Sequence, residues 1–219
     1  MSLWSLFLNH QGRVIHKWKH YFPAYERHFS RFVNQPVTFI EIGCGDGGSL
    51  QLWKQYLGPF ATIIGIDIRP ECKEFEEDQI HVRIGDQSDW KFLKSIIDEF
   101  GQPDVVLDDG SHIMDHVNMS FSSLYHQVAP NGVYFVEDLH TAYWKEFGGG
   151  LKRSGSFIEI VKDRIDTLNA DHTRGEVQVT DFTRTTQSMH IYDSIVVFEK
   201  GSVGEKAAVR VGGTKLKLT

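Results

Sequence analysis

A chain of 219 residues with 41% hydrophobic and 12% aromatic content is long enough to bury one α/β core, so a single main domain is expected. The 23 basic and 29 acidic residues leave a formal charge of -6 with no long basic block, which argues against a nucleic-acid footprint. Cys44 and Cys72 are too few for a disulfide framework or a Cys-rich zinc site and fit free thiols in a cytoplasmic protein; the opening apolar run stops at Asn9 and His10, too short to span a bilayer and without the basic flank of a signal peptide, so no membrane partner is expected.

In chain order, residues 1–35 carry an aromatic stripe at roughly helical spacing (Trp18, Tyr21, Phe22, Tyr25, Phe29 and Phe32), interrupted by Pro23 and expected to pack as core. Residues 37–42, 62–66, 80–84, 105–107 and 133–136 are Val/Ile-rich and mostly continuous rather than alternating, as strands buried on both faces are. Between them, residues 50–57, 91–100 and 116–128 have helical spacing, with Pro59, Gly101 and Pro130 as stops, and read as crossover helices. An amphipathic helix over 156–168 is followed by two consecutive strand-like runs, 177–182 and 191–198, which imply a closing antiparallel pair. The expected fold is therefore α/β: a mostly parallel seven-stranded sheet closed by an antiparallel hairpin, with helices on both faces, over residues 36–200. The tail, 201–219, is rich in Gly and Lys, lacks a packable face and is expected to be loosely held.

The first strand turns into the first crossover helix through Ile42-Gly43-Cys44-Gly45-Asp46-Gly47-Gly48. Glycine there lets a ligand approach the backbone at the carboxyl edge of the sheet, where open α/β folds bind cofactors. Gly43, Gly45 and Gly48 also satisfy the dinucleotide pattern, so the loop alone does not separate NAD from S-adenosylmethionine (SAM); Asp67, at the end of the second strand and placed for two ribose hydroxyls, is equally shared. Glu41 and the pair Asp86-Gln87 discriminate: in SAM enzymes an acidic residue near the end of the first strand organises the methionine end, and an Asp or Gln after the third strand reads the adenine amino edge.

The fourth strand runs into Asp108-Asp109-Gly110-Ser111-His112 and the fifth into Glu137-Asp138. If those strands are neighbours, Asp109, Glu137 and Asp138 converge, and three carboxylates that close repel one another unless a cation holds them. An all-oxygen set suits Mg²⁺ first, then Mn²⁺ or Ca²⁺. His112, three residues beyond Asp109, is the candidate general base for a hydroxyl held by that ion. His116, His126 and His172 are expected to be ordinary surface or core residues; His140, just beyond Asp138, and His190, before the last strand, could each line the substrate site but are expected not to. The segment Phe147-Gly148-Gly149-Gly150 reads equally as a mobile cover and as a plain linker.

Taken together, IEIGCGDGGSLQLWK (40–54), GDQSD (85–89), DVVLDDGSH (104–112) and YFVEDLHTAYW (134–144) resemble the macrolide-sugar O-methyltransferases of the mycinamicin and tylosin type and, more distantly, the cephalosporin hydroxylase/methyltransferase group. The resemblance runs from about residue 21 to about residue 200. It implies a Rossmann-like class I methyltransferase fold, SAM as methyl donor, and Mg²⁺ or Mn²⁺ held by Asp109, Glu137 and Asp138. It also implies a base at His112, a cofactor pocket from Glu41 through Ile68 to Asp108, and Tyr21 closing over the cofactor. The mycinamicin-type enzymes carry a further N-terminal domain that this sequence is not expected to have, so their macrolide specificity does not transfer. The implied activity is metal-dependent O-methylation of a hydroxylated small molecule, a sugar first, and homo-oligomerisation stays open. Three alternatives stand beside it: a catechol-like diol as acceptor, an NAD(P)-dependent oxidoreductase, and a SAM-binding protein without activity.

Overall fold

The computed structural model describes residues 2–204 and 206–213. Five strands alternate with helices: β1 (Thr38–Ile42), β2 (Thr62–Asp67), β3 (Ile80–Ile84), β4 (Val105–Asp108) and β5 (Val133–Val136). Two more, β6 (Thr186–Tyr192) and β7 (Ile195–Lys200), follow as a hairpin. All seven form one sheet in the order β3-β2-β1-β4-β5-β7-β6, parallel from β3 through β5, with β7 inserted antiparallel between β5 and β6. The expected seven-stranded sheet with its closing hairpin is thus the one observed. Strand order reverses between β1 and β4, and such a switch point leaves a crevice at the carboxyl ends of the strands.

The helices are α1 (Leu3–Leu8), α2 (Phe22–Phe29), α3 (Gly48–Leu57), α4 (Trp90–Phe100), α5 (Met114–Leu124), α6 (Phe157–Leu168) and α7 (Asp181–Thr185). Because side chains alternate along a strand, the sheet divides two apolar cores. Phe39, Ile63, Val105, Leu107, Phe135 and Val197 face α1, α2 and α3. Ile40, Ile64, Val106, Tyr134 and Val196 face α4, α5 and α6. Of the N-terminal aromatic stripe, Tyr21, Phe22, Tyr25 and Phe29 belong to the first core and Phe32 packs against it, whereas Trp18 is half exposed; Tyr25 and Phe29 are fully buried against Trp53 and Phe135. Pro23 does not break α2; it sits in its first turn, where the missing N–H costs nothing.

The C-terminal third departs from the sequence reading. No strand spans 177–182: residues 177–180 are irregular and α7 begins at Asp181, its first turn held by the Thr180 N–H donating to Thr183 Oγ1 at 3.1 Å. Nor is 191–198 one strand, since Asp193 and Ser194 form a turn and Tyr192 pairs with Ile195. The reason is burial. β7 lies between two strands and is apolar throughout its first four residues, whereas β6, TQSMHIY, is an edge strand with only Thr186 buried and so has no apolar run to read. The tail starts anchored, with the Gly201 and Val203 N–H groups donating to Thr185 and Arg184 carbonyls at 2.9 and 3.0 Å. Residues 206–213 are exposed, and the expectation for 214–219 lies outside the described residues. The glycines at 148–150 are tied back by backbone bonds to Lys145, Trp144 and Ala142. Both cysteines are buried free thiols, and among the described residues no helix is long and apolar enough to cross a membrane.

Glu199 on β7 clamps α2 to the closing hairpin through His28 and Arg31, and His28 also meets the Tyr192 hydroxyl at 2.9 Å. Burial works to raise the Glu199 pKa, but the bonds from His28 and Arg31 prevail and hold it below the ordinary glutamate value. A carboxyl with a depressed folded-state pKa stabilises fully above its unfolded value, about 4.3, and loses that contribution as pH falls through the folded value. Glu199→Gln should therefore cost roughly 1.5–3 kcal/mol at neutral pH. Its stability, measured by urea unfolding, should fall less steeply than the parent's below about pH 4.3.

Candidate active site

Strand parity assembles the site. Glu41 follows Ile40 in β1 and shares the face of Phe39; two positions beyond Leu107 and Phe135, Asp109 and Glu137 continue the same face past the ends of β4 and β5. All three carboxyl groups therefore meet under α2 and α3. Asp108 has the opposite parity and turns into the other core, where Ser120, Gln87 and the Gly110 N–H bond to it. Asp138 would follow Asp108, but it adopts a left-handed backbone (φ 57°), and its carboxylate accepts from the Tyr21 hydroxyl at 2.5 Å. His112 is also left-handed (φ 58°), uncommon for residues other than glycine and characteristic of functional turns. Its Nε2 lies 3.7 Å from Asp109 Oδ1 and 3.6 Å from Asp138 Oδ2.

Into the centre of this cluster comes Lys17. Its ammonium, 4% exposed, contacts carboxylate oxygens of Asp109 and Glu137 and lies 3.4 Å from Glu41 Oε1. The second oxygen of Glu137 accepts from the Tyr25 hydroxyl, and Glu41 Oε2 accepts from Ser49 at 2.8 Å. Burial raises Asp109 to about 6 against the pull of Lys17. Burial together with the charge of Asp109 raises Glu137 to about 8. Burial alone would lower Lys17, but the three carboxylates hold it well above the ordinary lysine value.

Next to the cluster opens a cavity of about 570 Å³. Its walls are the glycine loop, Asp67 to Arg69, Gly85 to Gln87, Asp109 to His112, Asp138, and the irregular segment Val14 to Lys17. Of the residues expected to bind a nucleoside cofactor, Gly43, Gly45, Asp67, Ile68, Asp86 and Gln87 line it. Glu41, Asp108, Glu137 and Tyr21 stand behind its walls, all nearly inaccessible. Asp67 accepts from the Cys44 N–H at 2.9 Å and from Arg69 Nε at 3.1 Å. Burial opposes ionisation there, yet the bonds from Arg69 and Cys44 hold the pKa low. Gln87 is committed at both ends, accepting from the Ser111 N–H at 2.6 Å and donating to Asp108 at 3.2 Å. His116, set aside by the sequence reading, lines the cavity with its ring 2.9 Å from the Ser111 hydroxyl.

No protein-family model matches the chain. Mycinamicin VI 2''-O-methyltransferase of Micromonospora griseorubida is 38% identical over 198 residues, covering 83% of this chain and 48% of that protein. Demethylmacrocin O-methyltransferase of Streptomyces fradiae is 36% identical over 198 residues, 83% of this chain and 49% of its own. The structure of the MycE methyltransferase with Mg, SAH and mycinamycin VI superposes with a TM-score of 0.80 at 35% identity, over 91% of this chain and 53% of that one. The chain is a homologue of the macrolide- and sugar-modifying O-methyltransferases. It spans about half the length of these relatives, and its sheet is that of the class I methyltransferase fold.

In this methyltransferase homologue the carboxylate cluster can be tested as a cation site by its donor geometry. Ligand atoms of Asp109, His112 and Asp138 lie within 4.8 Å of one another, close enough to share one ion. Glu137 is nearby, but its oxygens face Lys17 and Tyr25. The donors fit a divalent cation, and the charged Lys17 ammonium, rather than the Tyr25 hydroxyl, is what competes with an ion for Glu137. Sequence reasoning missed Lys17, Tyr25, Ser49 and Arg69. Lys17 meets its carboxylates at separations of 24, 92 and 120 residues, and no local pattern announces such a contact.

Two glycines of the loop have different reasons to be glycine. Gly43 has φ 89°, and a Cβ there would overlap the Asp109 carbonyl; Gly45 has φ 52° with nothing within 4 Å of an added Cβ. Gly45→Ala should lower stability by only about 1–2 kcal/mol, the cost of left-handed backbone. Gly43→Ala should cost clearly more, because it also pushes β1 away from the β4 turn. Thermal melts of the two variants compare the effects directly, and equal losses would contradict the overlap.

Proposed function

We propose that this chain binds SAM and catalyses divalent-metal-dependent O-methylation, with a hydroxyl of a sugar or glycosylated small molecule as acceptor. One observation carries the reading: the cavity that opens beside Gly45, Asp67 and Asp86 also reaches Asp109, His112 and Asp138, so a nucleoside site and a carboxylate–histidine site share one space. Its volume of about 570 Å³ is in the range of small-molecule sites. MycE, the structural relative, was solved with Mg and SAH in place, and the relatives are named for O-methylation of glycosylated compounds. Two buried free thiols accord with a reducing compartment such as the cytoplasm.

SAM supplies an electrophilic methyl group on its sulfonium, and a divalent ion supplies charge that can grip two acceptor oxygens. The chain's residues do the rest. Gly45 leaves the backbone open to the methionine end, and Asp67 takes the ribose hydroxyls once Arg69, whose side chain is 44% exposed, gives up its bonds to it. Ile68, 65% exposed at the cavity wall, offers an apolar face to the adenine. Asp109 and Asp138, with Glu137, would hold the ion. His112 Nε2, flanked by Asp109 and Asp138, removes the acceptor's proton as the C–O bond forms and the S–C bond breaks; the two carboxylates stabilise the resulting imidazolium. Alignment of acceptor and methyl group is the larger contribution, up to about 7–11 kcal/mol, and the base adds about 10²–10⁴-fold.

Calorimetry should detect S-adenosylhomocysteine binding, weakened in Asp67→Ala by roughly 1.5–3 kcal/mol for each ribose hydrogen bond lost. Tight NAD binding in its place would overturn the reading. With a panel of sugar acceptors, SAM consumption should stop in excess EDTA. His112→Ala should keep S-adenosylhomocysteine affinity and metal content while losing about 10²–10⁴-fold in turnover, with partial rescue at raised pH. Full turnover in EDTA would remove the ion from the mechanism.

A further inference from the structure

The metal site proposed above makes two demands that the arrangement of side chains sets against each other. An ion at the Asp109–His112–Asp138 position would take an imidazole nitrogen as ligand and so consume the base. An ion bound by Asp109, Glu137 and Asp138 leaves His112 free but must draw on the carboxylate oxygens of Glu137, each of which already accepts one bond. One is held by the Tyr25 hydroxyl, inside the aromatic core of α2; the other is held by Lys17.

A hydroxyl bond leaves a carboxylate oxygen a lone pair for an ion, so Tyr25 can stay, whereas the Lys17 ammonium competes with the ion as a like charge. Tyr25 is fully buried and wedged among Phe29, Trp53 and Phe135. Lys17 belongs to an irregular segment between α1 and α2, and for residues 14–17 the only hydrogen bonds or ion pairs among the described residues are those of the Lys17 ammonium. Upstream, Arg13 is tied to Gln51 and Glu77; downstream, the next backbone bond is Trp18 to Tyr21, and Trp18 is 52% exposed. The electrostatics agree. An ammonium and a divalent ion bound to the same two carboxylates would stand a few ångströms apart in a poorly solvated corner, where like charges repel strongly.

We propose that Lys17 is a tethered cation that occupies the place of the divalent ion on Asp109 and Glu137, so that ion binding requires its ammonium to be expelled. The inference rests on the metal-dependent reading and adds to it an exchange. Without the ion, Lys17 offsets part of the cluster's negative charge and keeps it assembled. With the ion, residues 14–17 lose their polar anchor while still forming one wall of the nucleoside cavity. Lys17 is a positioning residue here and touches no reacting atom.

The test compares the parent and Lys17→Met for Mg²⁺ and Mn²⁺ affinity by calorimetry, with no acceptor present. Expulsion predicts that Lys17→Met binds the ion at least tenfold more tightly, since a competing charge is gone; a merely structural lysine predicts weaker binding. Unchanged or weaker binding by the variant, with the parent still binding the ion, would overturn the exchange and leave the metal site standing. Binding by neither protein would remove both. Should Lys17→Met fail to fold, the parent alone decides the matter. Acylation of Lys17 by an amine-reactive ester, located by mass spectrometry, should be slow in EDTA and several-fold faster at saturating Mg²⁺. Protection that persists at saturation would mean that the ammonium stays in place.

Discussion

Four carboxyl groups crowd the carboxyl ends of β1, β4 and β5, and a single buried ammonium makes that crowding tolerable. Glu41, Asp109 and Glu137 each touch Lys17, and Asp138 stands beyond His112. Removing such groups from water is costly, and mutual repulsion adds to the cost. The elevated pKa values of Asp109 and Glu137 express both effects. An arrangement of this kind needs a counter-charge, and Lys17 of the N-terminal segment supplies it here. The packing of α2 on the sheet brings the Tyr21 and Tyr25 hydroxyls to Asp138 and Glu137, and the segment before it delivers Lys17. Apolar burial of the aromatic stripe and polar completion of the site are thus one structural event.

Parity along the strands then sorts neighbouring acids into different duties. Asp108 and Asp109 are adjacent in sequence, yet one is sealed in the α5 core by Ser120 and Gln87 while the other opens on the cavity beside His112. Gln87 serves Asp108 and the Ser111 N–H, so the segment after β3 braces the turn that carries His112. The cavity walls at residues 85–87 and 109–112 are linked through this brace, and left-handed turns sit at His112 and Asp138. A turn held by packing and hydrogen bonds on both flanks can keep an imidazole in a conformation that a free loop would abandon.

What the chain shares with sugar O-methyltransferases lies within about half of their length. That shared portion contains the glycine loop, the carboxylate cluster and the histidine. Trp18, His140 and Trp144 form an aromatic ledge next to Asp138, with Trp18 and Trp144 about half exposed. His140 Nδ1 lies 3.9 Å from Asp138 Oδ1, as its place just beyond that residue allows.

The amino-acid sequence by itself determined the parallel core of the fold. Strands buried on both faces are written as continuous Val/Ile runs, and β1 through β5 were legible to within a residue or two for that reason. It also determined which residues lie at the strand ends, because Gly, Asp and Glu interrupt apolar runs there: Gly43, Asp67, Asp86, Asp109, His112 and Asp138 all line the cavity. Tertiary structure decided the rest. Edge strand β6, half exposed and polar, had no periodic signal, so the hairpin was placed several residues too early. The division of the acids between two faces needed the register of β4 against β1 and β5. Lys17 could not be read at all, since its role exists only where three chain segments far apart in sequence meet, and burial of a charge is a property of that meeting rather than of any local pattern.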